Sequence, residues 1–138
     1  MSETFRTSRR VEFRDTDAAG IVHFSVFFTY MEQAEHELLR HLGLSVVWKD
    51  EQGVISWPRV SARCDFRNPV MFEEQLDIDV CVEKLGDSSV TYAFDFSCEG
   101  RPIASGSVTT VCCRIEPGKP PRSIRIPPEL AEKLTKLA

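Results

Sequence analysis

Two carboxylates spaced two residues apart, Asp15 and Asp17, close a short β-like run from Arg9 to Arg14. The small residues Ala18, Ala19 and Gly20 follow at once, and after them comes an aromatic segment with Phe24, Phe27 and Phe28. An acidic group at a strand end, facing a flexible turn beside a helix N-terminus, suits nucleophilic or acid-base work, because the helix dipole favours negative charge there. Backbone N–H groups near Phe24, where the helical segment begins, could receive a developing oxyanion. No Ser-His-Asp set is recognisable. A carboxylate near a helix start is also a common cap. That cap or salt-bridge role is the one expected for Asp15. Glu32 and His36 stand four residues apart on one helical face, but no third metal ligand presents itself, so a surface pair is expected.

The elements that must position these groups are legible from hydrophobic period. From Phe27 the apolar residues fall at helical spacing (Phe27, Met31, Ala34, Leu38, Leu42), and Gly43 sits where such a helix would stop. The spacing predicts a helix from about Phe27 to Leu42. The period then changes to two. Val60, Ala62, Cys64 and Phe66 alternate with Arg59, Ser61, Arg63 and Asp65. The same alternation runs through Leu76–Glu83 and Val90–Glu99 and, less cleanly, through Ile103–Ile115. Turns fall at "LGDSS" and "CEGRP", and "IPPELAEKLTKL" reads as a short terminal helix with proline in its first turn. Strand, helix, four strands and a short helix make an α+β chain, residues 1–138 forming one domain. One helix covers little of a five-stranded sheet, so association with a second subunit is expected.

The segment "RVEFRDTDAAGIVHF" resembles the signature of the 4-hydroxybenzoyl-CoA thioesterase family, a branch of the hotdog-fold acyl-CoA thioesterases. The resemblance continues through Glu32, the strand from Pro58 to Phe66, "RNPVMFEEQLDI" and the last two strands, about residues 9 to 115 in all. It implies a hotdog fold: one long central helix packed on a curved five-stranded antiparallel sheet. It implies hydrolysis of an acyl-CoA to a carboxylic acid and CoA, with no cofactor and no metal. Asp17 maps onto the family's catalytic carboxylate, as nucleophile or general base, and the Phe24 N–H onto the oxyanion donor. Gly20, His23, Phe27, Arg59 and Ser61 are the expected substrate-binding residues, with His23 as a wall of the acyl pocket. The resemblance also implies an active site at a subunit interface, in a homodimer or homotetramer. The turn at Gly86-Asp87-Ser88 lacks the basic cluster that the characterised member uses for the CoA nucleotide. Arg59, Arg63, Arg67, Lys84 and Arg101 are therefore the candidates for phosphate contact. Alternatives are a carrier-protein thioester as substrate, or an acyl-ligand-binding hotdog protein without turnover.

Composition narrows the class further. At 42% hydrophobic and 28% charged residues the chain is ordinary for a globular protein. A net charge of −4 with no basic stripe argues against nucleic acid as a partner. No apolar run approaches the roughly 18 residues needed to span a bilayer, and the N-terminus has no apolar signal core. A cytoplasmic location is expected, with the five cysteines reduced and mostly filling the core.

Overall fold

The structure, a computed structural model, describes residues 3–138. In chain order the elements are β1 (Phe5–Arg10), α1 (Val26–His41), β2 (Trp48–Asp50), β3 (Gly53–Ser56), β4 (Arg59–Phe66), β5 (Gln75–Leu85), β6 (Ser89–Cys98), β7 (Arg101–Val111), β8 (Cys113–Ile115), β9 (Arg122–Ser123) and α2 (Pro128–Thr135). The main sheet is antiparallel with strand order β1-β5-β6-β7-β4. A second, smaller sheet has the order β2-β3-β8-β9. The architecture is α+β. α2 is the terminal helix expected at "IPPELAEKLTKL", whereas the second sheet goes beyond the expected single one.

Period-two patterning does what it predicts in the central strands. Leu76, Ile78, Val80 and Val82 of β5 and Val90, Tyr92, Phe94 and Phe96 of β6 all point into one core. Against them α1 lays Phe27, Tyr30, Met31, Ala34 and Leu38. At Gly106 of β7 a Cβ would stand only 2.6 Å from Met31 Sδ and 3.1 Å from Arg63 O, so a side chain at that position would displace the end of the Met31 side chain that packs there. The helix ends as the glycine predicts: Gly43 takes φ +78° and donates to Arg40 O, while Leu44 N–H reaches back to Leu39 O. At "CEGRP" the two-residue turn places Glu99 and Gly100 both at positive φ, matching the twist of the hairpin.

Three expectations need correction. The first strand is Phe5–Arg10 rather than Arg9–Arg14, because Phe13–Asp15 close a 3-10 turn in which the Glu12 and Asp15 side chains cap each other's backbone N–H. The run Ile103–Ile115 is two strands in two sheets. It breaks at Cys112, whose N–H donates to Ser88 O and whose carbonyl accepts from Ile124 N–H, outside either ladder. The third concerns Arg59, which simple alternation puts on the same face of β4 as Ser61 and Arg63. A β-bulge between Arg59 and Ser61 adds one residue to β4 and so reverses the facing of Arg59. Its guanidinium turns toward α1 and meets the buried Glu35 at 2.9 Å.

Candidate active site

The chain segment carrying the two aspartates leaves β1, makes its 3-10 turn and folds back on itself. Asp17 N–H donates to Ile21 O at 2.8 Å, and Gly20 N–H donates to Asp17 O at 3.0 Å. Gly20 sits at φ +80°, a conformation that side-chain-bearing residues rarely adopt, so the turn needs a glycine there. Val22 N–H then bonds Val70 O, which seats the turn on the loop that follows β4. Within the turn, Asp17 Oδ1 accepts the Ala19 N–H at 2.8 Å. Asp17 Oδ2 has no protein donor among the described residues, and the carboxylate is half-buried.

Asp17 lines a cavity of about 420 Å³ whose other walls are mainly apolar: Ile21, Val22, Phe24, Phe27, Phe66 and Val70. Phe27 meets Phe66 edge-to-face at 5.3 Å, so two elements far apart in sequence share this aromatic wall. Arg67 and Asn68 supply its remaining polar edge. The Asn68 side-chain amide is committed to Pro102 O at 2.6 Å. Arg67 has no side-chain acceptor among the described residues. Phe24 N–H likewise finds no protein acceptor among them, and Phe24 belongs to the same cavity. A carboxylate with an open oxygen, an unused backbone donor and an apolar aromatic chamber are the parts that attack on an activated acyl group requires.

The neighbouring residues prepare this end of the helix. Ser25 N–H donates to His23 Nδ1 at 3.2 Å, which makes that nitrogen an acceptor and puts the neutral ring's proton on Nε2. The Ser25 hydroxyl lies 2.8 Å from the same nitrogen and so acts as a second donor. The His23 ring stacks on Phe24 at 4.6 Å. His23 therefore supports the Phe24 segment rather than lining the cavity. Asp15 acts as a cap: its Oδ2 accepts from Glu12 N–H and from the Tyr30 hydroxyl.

Of the residues singled out in the sequence, Asp17, Phe24 and Phe27 meet in this cavity, Gly20 shapes its turn, and His23 stands behind it. Arg59 and Ser61 stand apart from it within one protomer. Arg59 bridges Glu35, Glu32 (3.7 Å) and Trp57 O, and exposed Ser61 pairs with Thr109. Glu32 pairs with Arg59 rather than with His36. Among the other candidate cations, Arg63 lies near Asp65 and Arg101 is held by Glu74 and Pro69 O. Phe66, Asn68 and Val70 are not among the site residues expected from the sequence; their signal there is the break between the alternation of β4 and that of β5, within the stretch Pro58–Ile78 that carries the family resemblance. No helix of the described residues is long and apolar enough to cross a membrane.

Comparison with known proteins places this architecture. A protein of Aquifex aeolicus (strain VF5), provisionally named an esterase, is 32% identical over 126 residues, 91% of this chain and 94% of that protein. The 1,4-dihydroxy-2-naphthoyl-CoA hydrolase of Synechococcus sp. (strain WH7803) is 30% identical over 122 residues, 83% of this chain and 80% of its own length. Among solved structures, a gentisyl-coenzyme A thioesterase superposes with a TM-score of 0.80 at 30% identity, covering 94% of this chain and 99% of that one. The pattern of the Thioesterase-like superfamily matches residues 11–134, and the chain belongs to that superfamily, with its α+β hotdog fold.

Proposed function

We propose that this protein is an acyl-CoA thioesterase that hydrolyses an aromatic acyl-CoA to the aromatic carboxylic acid and free CoA. The observation that carries the reading is the half-buried Asp17 carboxylate, one oxygen tied to Ala19 N–H, lining a chamber walled by Phe24, Phe27 and Phe66. Relatives named for naphthoyl-CoA and gentisyl-CoA hydrolysis support both the thioester and the aromatic acyl group.

In the proposed step Asp17 attacks the thioester carbonyl, or removes a proton from the water that does so. Negative charge builds on the carbonyl oxygen, which the Phe24 N–H at the start of α1 receives. The C–S bond breaks, CoA leaves as the thiolate, and its low basicity removes the need for a strong general acid. Along the covalent route water hydrolyses the Asp17 anhydride, and along either route one water is consumed. Free CoA thioesters need a phosphate contact, and Arg67 is the first candidate because it adjoins the cavity and has no acid partner among the described residues.

Assembly is part of the proposal. β4 is an edge strand of the main sheet and leaves Val60 62% and Phe66 49% exposed. An unprotected edge of this length invites pairing with another strand, and a second copy of this chain along β4 would also cover Phe66 at the mouth of the cavity. The protein acts as a homodimer or a pair of dimers, in the cytoplasm. The test is thiol release from a panel of benzoyl, hydroxybenzoyl, dihydroxynaphthoyl and straight-chain acyl-CoAs. Turnover of the aromatic members is expected; hydrolysis of none, by protein of correct assembly, would overturn the assignment.

A further inference from the structure

Tyr30 is 3% exposed, yet it carries a hydroxyl that a phenylalanine would lack. That hydroxyl donates to Asp15 Oδ2 at 2.9 Å, and the same oxygen accepts Glu12 N–H at 3.0 Å. Both donors are neutral. The Asp15 carbonyl in turn accepts His23 N–H at 2.9 Å, and Thr16 bridges Val22 one step further in. Asp15 is therefore fastened on two sides, by its side chain to the core face of α1 and by its backbone to the segment that leads into α1. Asp17 follows two residues later. On the helix, Tyr30 lies one turn from Phe27, and the two rings meet edge-to-face at 6.2 Å.

We propose that Tyr30, acting through Asp15, is a positioning residue that sets the Asp17 turn against the N-terminus of α1. Asp17 belongs to the segment after β1, while Phe24 and Phe27 belong to the helix and its lead-in, so their relative placement depends on whatever joins the two. The Tyr30–Asp15 bond is a part-buried side-chain link between them. Desolvation and the adjacent Asp15 carboxylate push the Tyr30 phenol far above its ordinary range, so the hydroxyl stays protonated and remains a donor throughout the working pH range. A hydrogen bond to a carboxylate is among the stronger neutral-donor contacts, and a shift of about 1 Å between reacting groups is enough to cost on the order of 10²-fold in rate.

The inference rests on the proposed hydrolysis by Asp17, and its test has one readout that does not depend on activity. Tyr30→Phe keeps the core volume and removes only the hydroxyl. Its kcat is expected to fall on the order of 10-fold while KM changes by less than about 2-fold, the pattern of a misplaced reacting group rather than lost binding. Amide hydrogen exchange in the peptide spanning Asp15–Phe24 is expected to quicken on the order of 10-fold, because His23 N–H loses its anchored acceptor, Asp15 O. In a double-mutant cycle, Asp15→Ala with Tyr30→Phe should lose no more kcat than Asp15→Ala alone. Unchanged exchange in Tyr30→Phe, or additive losses in the cycle, would overturn the tether. A wild-type protein that releases no thiol from any acyl-CoA would instead overturn the proposed function, and the exchange result would still decide the tether.

Discussion

Replacing Asp17 by asparagine separates chemistry from architecture at this site. The bonds that shape the turn, Asp17 N–H to Ile21 O and Gly20 N–H to Asp17 O, are backbone bonds and survive the change. The side-chain bond from Ala19 N–H at 2.8 Å also survives, since an asparagine oxygen accepts as well as a carboxylate in this geometry. The substitution is nearly isosteric at a half-buried position, so its cost in stability is expected to stay within about 0.5 kcal/mol. What it removes is the charge and the nucleophilic oxygen. Loss of a general base or nucleophile lowers kcat on the order of 10²-fold or more, equivalent to about 2.7 kcal/mol of transition-state stabilisation. The assay is thiol release under saturating acyl-CoA, with thermal melting and sedimentation in parallel. Asp15→Asn is the control and should be milder, because asparagine keeps the acceptor for Tyr30 and Glu12 N–H. Near-wild-type turnover in Asp17→Asn would refute the catalytic assignment. Loss of activity in both variants together with lowered melting temperature would favour a purely structural pair. After a single turnover in ¹⁸O-water, label recovered in Asp17 would identify the covalent route.

Burial raises the Glu35 carboxyl from its ordinary value to about 7, against the opposing pull of Arg59. A raised folded-state value means that Glu35 contributes stability fully below about pH 4.5 and loses it as pH rises through about 7. His36, lowered by burial, acts in the opposite sense, so the wild type is compared with Glu35→Gln. The variant's melting temperature should gain on the wild type from about pH 5 to 8, and parallel curves would contradict the raised value. Arg67→Ala should raise KM more than it lowers kcat if its guanidinium meets a CoA phosphate, as remote binding energy does; equal KM values for CoA and pantetheine thioesters in the wild type would argue against any phosphate site. Val60→Lys on the exposed edge of β4 should shift sedimentation toward monomer and lower activity with it, whereas a fully active monomer would contradict an interfacial site.

The parts legible in the sequence are those whose signal is local. The faces of β5 and β6 follow from alternation alone, and α1 follows from its apolar spacing and from Gly43. Asp17, Gly20, Phe24 and Phe27 fall within eleven consecutive residues, so half of the cavity could be read as one stretch. The other wall, Phe66 to Val70, arrives some forty residues later and is brought there by strand pairing that no periodicity encodes. Arg59 and Arg63 look equivalent in an alternating run, and only the bulge at Val60 tells them apart. The second sheet leaves no period in the sequence because its strands are only two to four residues long. Its cohesion comes from Arg114, buried and forked onto Asp50 at 2.6 and 3.1 Å, a contact between residues 64 apart.

The C-terminal end of the chain closes the core: Leu130, Leu134 and Leu137 are buried, and Leu137 O accepts Val82 N–H beside the bulge in β5. During synthesis the consequence is one of timing. The apolar face of α1 leaves the ribosome before any strand of the sheet that shelters it except β1, and β1 itself waits some seventy residues for β5. At 5–20 residues per second, that helix spends several seconds as an exposed amphipathic segment, a period in which chaperones and a second nascent copy compete for it. Core closure must wait until the last turn of α2 has cleared the exit tunnel, so a truncation of even a few C-terminal residues would act on folding yield long before it acted on the distant Asp17 turn.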